Sequence, residues 1–381
     1  MKMVIAPDSF KESLSALEAC QAIEKGIRKV FPDAKIVKVP MADGGEGTVQ
    51  SLVDATGGRL IYRQVTSPLG TPVEAFYGML GDGKTAIIEM AAASGLALVP
   101  PDQRNPLVTT TRGTGELIAS ALDEGASTII LGLGGSATND GGAGMAQALG
   151  VQLLAADGSE IGYGGGELHR LARIDMGEAD PRLKQVTFVA ACDVNNPLTG
   201  EQGAAAVFGP QKGAGPDMIR QLDDNLAHYA AMIKQFLGRD VNGIPGAGAA
   251  GGLGAGVLAF LSAKLQPGVD IVIEATGLAE HVKDADVVIT GEGRIDSQTI
   301  YGKTPIGVAK TAKLYGIPVI GIAGSLTDGY EAVYEHGIDI TFSIVPGVCS
   351  LDHAMTHAAA NMERTARNIA MTLKCGNQLA K

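Results

Sequence analysis

The chain contains no tryptophan, and aromatic side chains of every kind make up only 4 % of its 381 residues. A core organised around large rings is therefore excluded. With 45 % hydrophobic residues the interior must be aliphatic. Cysteines are few and scattered: Cys20, Cys192, Cys349 and Cys375 form no CxxC pair. That excludes a zinc ribbon or a disulfide framework and points to free thiols in a reducing, cytoplasmic setting. Basic residues are outnumbered, 30 Lys and Arg against 41 Asp and Glu, for a net charge of −11. Nucleic acid rewards the opposite balance and is excluded as a partner, whereas a local basic pocket suffices for a small anion. No apolar run reaches membrane-spanning length, and the richest, AIIEMAAASGLALV, holds Glu89 and Gly95. MKMVIAPD is broken by Pro7 and Asp8 and does not read as a signal peptide.

Several familiar signatures fail on context. GMLGDGKT, residues 78–85, fits the phosphate-loop pattern letter by letter. A phosphate loop needs a buried strand before it and a helix starting at the Lys. Here VEAFYGML precedes and the β-branched TAII follows, with Asp82-Gly83 between them, a dipeptide favoured in hairpin turns. The spacing predicts strand, tight turn, strand. PGAGAAG, 245–251, fits a dinucleotide fingerprint but has no strand before it. His353 and His357 lie four apart without the Glu of a metalloprotease helix, and no GxSxG elbow occurs.

What the chain does have is glycine, 53 residues, and strands that alternate with helices at both ends. MVIA, a helix opened by the capping box Ser15-x-x-Glu18, then KIVKV and the helix TVQSLVDAT begin the chain. DVVIT, PVIGIAG and ITFSIV, each followed by a helix, end it. Such alternation predicts a parallel sheet covered on both faces. The middle is mixed, with a hairpin near 62–90 and an amphipathic helix over about 217–236. The expected fold class is α/β: one parallel-sheet domain built from both chain ends, 1–65 plus 285–381, and a second domain, 66–284, inserted between them.

Active sites of open parallel sheets lie beyond the carboxyl ends of the strands. After the first strand come Asp8, Ser9 and Lys11, suited to an anion or simply to capping the next helix. After the second come Asp43 and Glu46 among glycines, two oxygen donors suited to Mg²⁺ or an acidic helix start. GLGGSATNDGGAG, 132–144, follows a clean strand and precedes a helix. Gly134, Gly135, Ser136, Asn139 and Asp140 are its candidate ligands for phosphate. VTFVAACD delivers Asp193, a general base or a turn cap. FGPQKGAGP presents Lys212, on a binding loop or a solvated linker. The strand begun by DVVIT is expected to end in Gly291-Glu292-Gly293, with Gly291 and Gly293 as candidate binding residues, and the loop after it carries Arg294, Asp296 and Lys303, charges of both signs at one strand end. Anion-friendly loops, strand-end carboxylates and isolated cations fit phosphoryl transfer, in which positioning, Mg²⁺ and charge neutralisation do the catalysis.

APDSFKESLSA, MADGGEGT, GLGGSATNDGGAGMAQALG, CDVNNPLTG, FGPQKGA and TGEGRIDSQTIYGKTPIGVA, in this order, resemble the signature segments of the bacterial type I glycerate kinases. The resemblance runs from Met1 to the C-terminal helix. It implies ATP-dependent phosphorylation of (R)-glycerate to 2-phosphoglycerate and ADP, with Mg²⁺, in glycolate and glucarate breakdown. It also implies that the two-ended domain is flavodoxin-like and the inserted one resembles the restriction-endonuclease fold. On this reading Asp193 is the expected base, with Asp296 as competitor or metal ligand. Asp8, Ser9 and Lys11 hold ATP phosphates or the glycerate carboxylate, and Arg294 and Lys303 offset charge on the transferring group. A kinase for a related hydroxy acid and a non-catalytic sensor of small anions are the alternatives. The oligomeric state, a homo-oligomer included, is left open.

Overall fold

A computed structural model describes residues 1–379. Its strands are, in chain order, β1 (Lys2–Ile5), β2 (Lys35–Lys38), β3 (Arg59–Thr66), β4 (Pro72–Met79), β5 (Thr85–Glu89), β6 (Thr128–Gly132), β7 (Gln152–Ala155), β8 (Leu171–Asp175), β9 (Thr187–Ala191), β10 (Lys264–Gln266), β11 (Val287–Ile295), β12 (Val319–Leu326) and β13 (Ile340–Ser343). The chain divides into two units. The first comprises 1–43, 50–57 and 269–381, the second 44–49 and 58–268.

The first unit holds a five-stranded sheet in the order β2-β1-β11-β12-β13. Every pairing in it is parallel. Renumbered within the unit this is 2-1-3-4-5, the flavodoxin-like doubly wound order. Met3, Ile5, Ile289 and Ile322 are fully or almost fully buried, as strands covered on both faces require. The helix Ala16–Arg28 begins with the expected capping box: Ser15 Oγ accepts from Glu18 N (3.2 Å), and Glu18 Oε2 accepts from Ser15 N (2.8 Å). This helix packs on the C-terminal helix Ala358–Leu379 across Gly26, where a Cβ would stand 2.3 Å from Glu363 O. The strand takes in Gly291-Glu292-Gly293 as expected, but one expectation is corrected: Arg294 is not in the following loop, because Arg294 and Ile295 pair in register with Ser325 and Leu326 as the last part of β11. β11 and β12 thus overhang β1, whose pairing with β11 stops at Ile5–Ile289.

The second unit holds a mixed six-stranded sheet, β10-β9-β6-β5-β4-β3, and the separate hairpin β7–β8. The pairs from β10 to β5 are parallel, while β4 and β3 are antiparallel additions. The phosphate-loop lookalike is the expected hairpin turn between β4 and β5. Asp82 Oδ1 accepts from Lys84 N and Thr85 N (2.9 Å each), and Gly83 takes a φ of 65°. The helix Pro216–Leu237 buries Leu222, Leu226, Tyr229 and Ile233 along one face. The helix Ala249–Phe260 starts through left-handed residues 250–252, where Gly251 would bring a Cβ to 1.9 Å from Thr138 O. The glycines of PGAGAAG therefore serve close packing, Gly251 against the loop 132–144 and Gly248 against Pro197 O, where a Cβ would stand at 2.2 Å.

Candidate functional site

The first unit opens a cavity of about 510 Å³ whose polar lining includes Asp8, Lys11, Glu12, Asp43, Glu292, Arg294 and Lys303. It lies where β1 ends and β11 and β12 continue, the switch point of the 2-1-3-4-5 order. Asp8 enters on the segment after β1, pinned by its N–H donating to Gly291 O (2.8 Å). Thr304 Oγ donates to Asp8 Oδ2 (2.5 Å) and Ser9 N to Oδ1 (2.6 Å). Burial nevertheless dominates and pushes the Asp8 carboxyl up to about 6. The Thr304 bond pulls it back, and the charge of Asp43 adds to the rise. Thr304 is buried because it opens the helix Thr304–Lys313, with Lys303 as N-cap and Pro305 in the first turn.

Glu292 faces this carboxyl from β11. Burial pushes it up to about 7. The Lys303 ammonium, 3.6 Å from Oε2, and the Thr299 hydroxyl, 2.8 Å from Oε1, oppose the rise; the charges of Asp8 and Asp296 reinforce it. Two carboxyls of one cavity thus change charge near neutrality, the condition under which a side chain can both take and give a proton. Arg294 extends into solvent, with Nε 3.1 Å from Asp296 Oδ2. Asp296 is also engaged in a turn, accepting from Gln298 N (2.9 Å). Ser9 and Gly293 line the same cavity. Gly291 is held by packing instead, since a Cβ there would meet Ile322 O at 1.9 Å.

The remaining candidates lie in the second unit. Asp140 is fully buried. Its carboxylate accepts from Thr111 N and Oγ1 (2.8 Å each), Gly142 N (3.1 Å) and Gly144 N (3.2 Å). Burial raises its proton affinity and the Thr111 bonds oppose this. Lys212 is 1 % exposed and points inward, donating to Ser136 Oγ (2.7 Å) and Thr138 O (2.6 Å). Burial pushes its ammonium down to about 7, against the pull of Asp140. Among the described residues, Asn139 has both amide atoms buried without a hydrogen-bond partner. Gly134 and Gly135 are exposed. Asp193, just past β9, accepts from Gly268 N (3.0 Å). Glu46 belongs to this unit near Glu89, whose Oε1 accepts from Val49 N (2.9 Å). Asp43 and Glu46 thus fall in different units. No cluster of three or more His, Cys, Asp or Glu poised for a metal occurs among the described residues.

Sequence reasoning missed Glu292, Thr304 and Glu89. Each had a weak signal: a carboxylate between two glycines at a strand end, a hydroxyl opening a helix, and a charge ending the apolar strand TAIIE.

Comparison with known proteins bears on this arrangement. The model of the glycerate kinase family matches residues 3–374. The chain is 65 % identical to a glycerate kinase of Bacillus subtilis over 374 residues, covering 98 % of each protein. It is 60 % identical to the glycerate 2-kinase of Escherichia coli K12, covering 99 % of each. A crystal structure of a candidate glycerate kinase 2 from Salmonella typhimurium LT2 superposes with a TM-score of 0.92 at 56 % identity and full coverage of both chains. With a family model spanning nearly its whole length and relatives this similar from end to end, the chain belongs to the glycerate kinase family.

Proposed function

We propose that the protein is a glycerate 2-kinase, transferring the γ-phosphoryl group of ATP to the 2-hydroxyl of (R)-glycerate to give 2-phosphoglycerate and ADP. The observation that carries this reading is the switch-point cavity, with Asp8, Asp43 and Glu292 beside Lys11, Arg294 and Lys303. Phosphoryl transfer needs little covalent work from the protein and much positioning and charge compensation, and this wall supplies both signs. The 2-hydroxyl as acceptor follows the name of the Escherichia coli relative. A cytoplasmic setting is part of the proposal. It is supported by four free cysteines and, among the described residues, by no helix long and apolar enough to cross a membrane.

Mg²⁺ fits the donor set. The charge of Asp43 adds to the burial that raises the proton affinity of Asp8, and a hard divalent cation on hard oxygen donors relieves that repulsion. Asp8 and Asp43, both of the first unit, are the residues to hold it. When bound with the nucleotide it neutralises charge on the transferring phosphoryl group. Mg²⁺ sites built on one or two carboxylates plus phosphate and water need no larger protein cluster.

In the proposed reaction Asp193 takes the proton of the glycerate hydroxyl. The Gly268 N–H donates to its Oδ1 and orients the carboxylate just past the end of β9. Asp296, held by the Gln298 N–H and beside the Arg294 guanidinium, is the competing candidate. Arg294 and Lys303 stabilise negative charge as it moves to the leaving oxygen. Gly134 and Gly135, exposed after β6, act as backbone around the anionic substrates.

A ³¹P NMR time course with purified protein, ATP, Mg²⁺ and (R)-glycerate, with an EDTA control, tests the reading. Metal-dependent 2-phosphoglycerate is the expected product. A 3-phosphoglycerate signal overturns the regiochemistry, and no product overturns the kinase. Asp193→Asn is expected to cut turnover by roughly 10²–10⁴ with an unchanged circular-dichroism spectrum. Turnover like that of the wild type moves the base to Asp296.

A further inference from the structure

We infer that the cavity of the first unit is the nucleoside triphosphate site, with the base of the nucleotide against the segment 344–358, and not the glycerate site. The inference rests on the kinase reading and adds to it which substrate this cavity takes and in which orientation.

The lining of the cavity divides chemically by chain segment. Beside the charged residues named above, the stretch 344–358 contributes only apolar ones, among them Ile344, Val345, Leu351 and Met355. Glycerate bears oxygen on each of its three carbons, so an apolar wall would desolvate its hydroxyls and return no hydrogen bond. A nucleotide has one apolar end and one anionic end. Its aromatic base gains from an aliphatic face, and its phosphates need the cations and any metal at the other. The volume of about 510 Å³ lies within the range of about 300–1,000 Å³ typical of sites for ligands of that size.

The fold explains this division. The charged residues come from the segments after β1 and β2 and from the end of β11 onward, including Lys303 at the start of a ten-residue helix. The apolar ones come from the segment after β13 and from the short helix Leu351–Thr356. A second observation points the same way. Leu351 lines the cavity yet is 75 % exposed, and Val348 nearby in the chain is fully exposed. Large aliphatic side chains presented to water at the rim of a cavity are those a bound apolar group would cover. The orientation is then base toward Leu351 and Met355, phosphates toward Lys11, Arg294 and Lys303.

Photolabelling of the full chain with 8-azido-ATP and Mg²⁺, followed by peptide mapping, tests the placement, because the azide sits on the base. The expected result is a crosslink within 344–358 that excess ATP abolishes. Absence of an ATP-protected crosslink there, with or without one in 58–268, overturns the inference. Ala354→Phe gives an independent reading by filling the apolar side. The expected outcome is a KM for ATP raised at least tenfold, with the KM for glycerate within twofold of wild type; the reverse pattern overturns it. An exposed control, Ala359→Phe, is expected to leave both constants unchanged. Failure of the kinase reading has a different signature, since wild-type protein would then form no phosphoglycerate wherever the label falls.

Discussion

Replacing Lys212 with Met is expected to remove a pH dependence from the stability of the protein. The side chain is 1 % exposed and its amine donates to Ser136 Oγ and Thr138 O. Burial brings its pKa down from 10.5 to about 7, with the charge of Asp140 opposing. Between these two values the unfolded chain holds a proton that the folded chain has released. Stability therefore rises with pH across that window, and below about 7 the contribution is flat because the amine is charged in both states. At about 1.4 kcal/mol per pH unit, half-developed at the folded pKa, the gain from pH 7 to pH 9 is about 2 kcal/mol. Met fills a similar shape without a titrating group. It leaves Ser136 Oγ and Thr138 O without that donor, at a cost of about 1–3 kcal/mol. Urea unfolding followed by circular dichroism at pH 6.5, 7, 8 and 9 measures both proteins. The other titrating groups are common to the two, so the difference between curves isolates Lys212. The variant should fall behind wild type by about 2 kcal/mol between pH 7 and 9. Parallel curves would refute the reasoning and show an amine that stays charged in the fold.

Two further outcomes are expected from the first unit. Asp8, raised by burial to about 6, has the opposite sign. Its contribution is complete below the unfolded value of 3.8 and is lost as pH rises through the folded value, so Asp8→Asn should gain on wild type by about 2 kcal/mol from pH 4 to 7. The same urea series measures it, and a constant difference would sink the assignment. Ser15→Ala removes the bond that Ser15 Oγ accepts from Glu18 N. It should cost about 1 kcal/mol in denaturant unfolding, with kcat unchanged.

Much of the fold was legible because its signals are local. The capping box at Ser15 and Glu18 needs four residues to be read. The helix Pro216–Leu237 shows its buried face through Leu222, Leu226, Tyr229 and Ile233, at a spacing strands do not share. The Asp82-Gly83 turn was recognisable because β-branched residues come after it where a phosphate loop requires a helix. What was not legible is set by pairing at a distance. The end of GEGRI reads as the start of a loop because glycine is a poor strand former and two glycines precede Arg294. It is a strand because 323–326 lies alongside it, and glycines on both sides allow the approach: Gly324 would bring a Cβ to 2.3 Å from Gly293 O. The strand β3 likewise sides with the second unit because its partner is β4.

The candidate site divides along the same line, and the loop 132–144 shows why. A glycine that lets a ligand approach the backbone and a glycine that lets another segment approach it are the same letter. At Gly141 a Cβ would press on the Tyr229 ring at 2.6 Å, and at Gly144 on Thr110 Oγ1 at 2.2 Å. Those two are required by the interior. At Gly134 nothing stands within 4 Å, and that backbone is open to a substrate. The polar residues sort with them. Asp140 spends its acceptors on the N–H groups of Thr111, Gly142 and Gly144, and Lys212 spends its donors on Ser136 and Thr138. Composition marks the whole loop as anion-friendly, but burial assigns its second half to holding the unit together and leaves only its first turn for chemistry. The segments after β1 and β11 were more legible, because strand ends of a parallel sheet converge by topology and Asp8 and Lys303, each just beyond a strand, needed no further pairing to meet at one cavity.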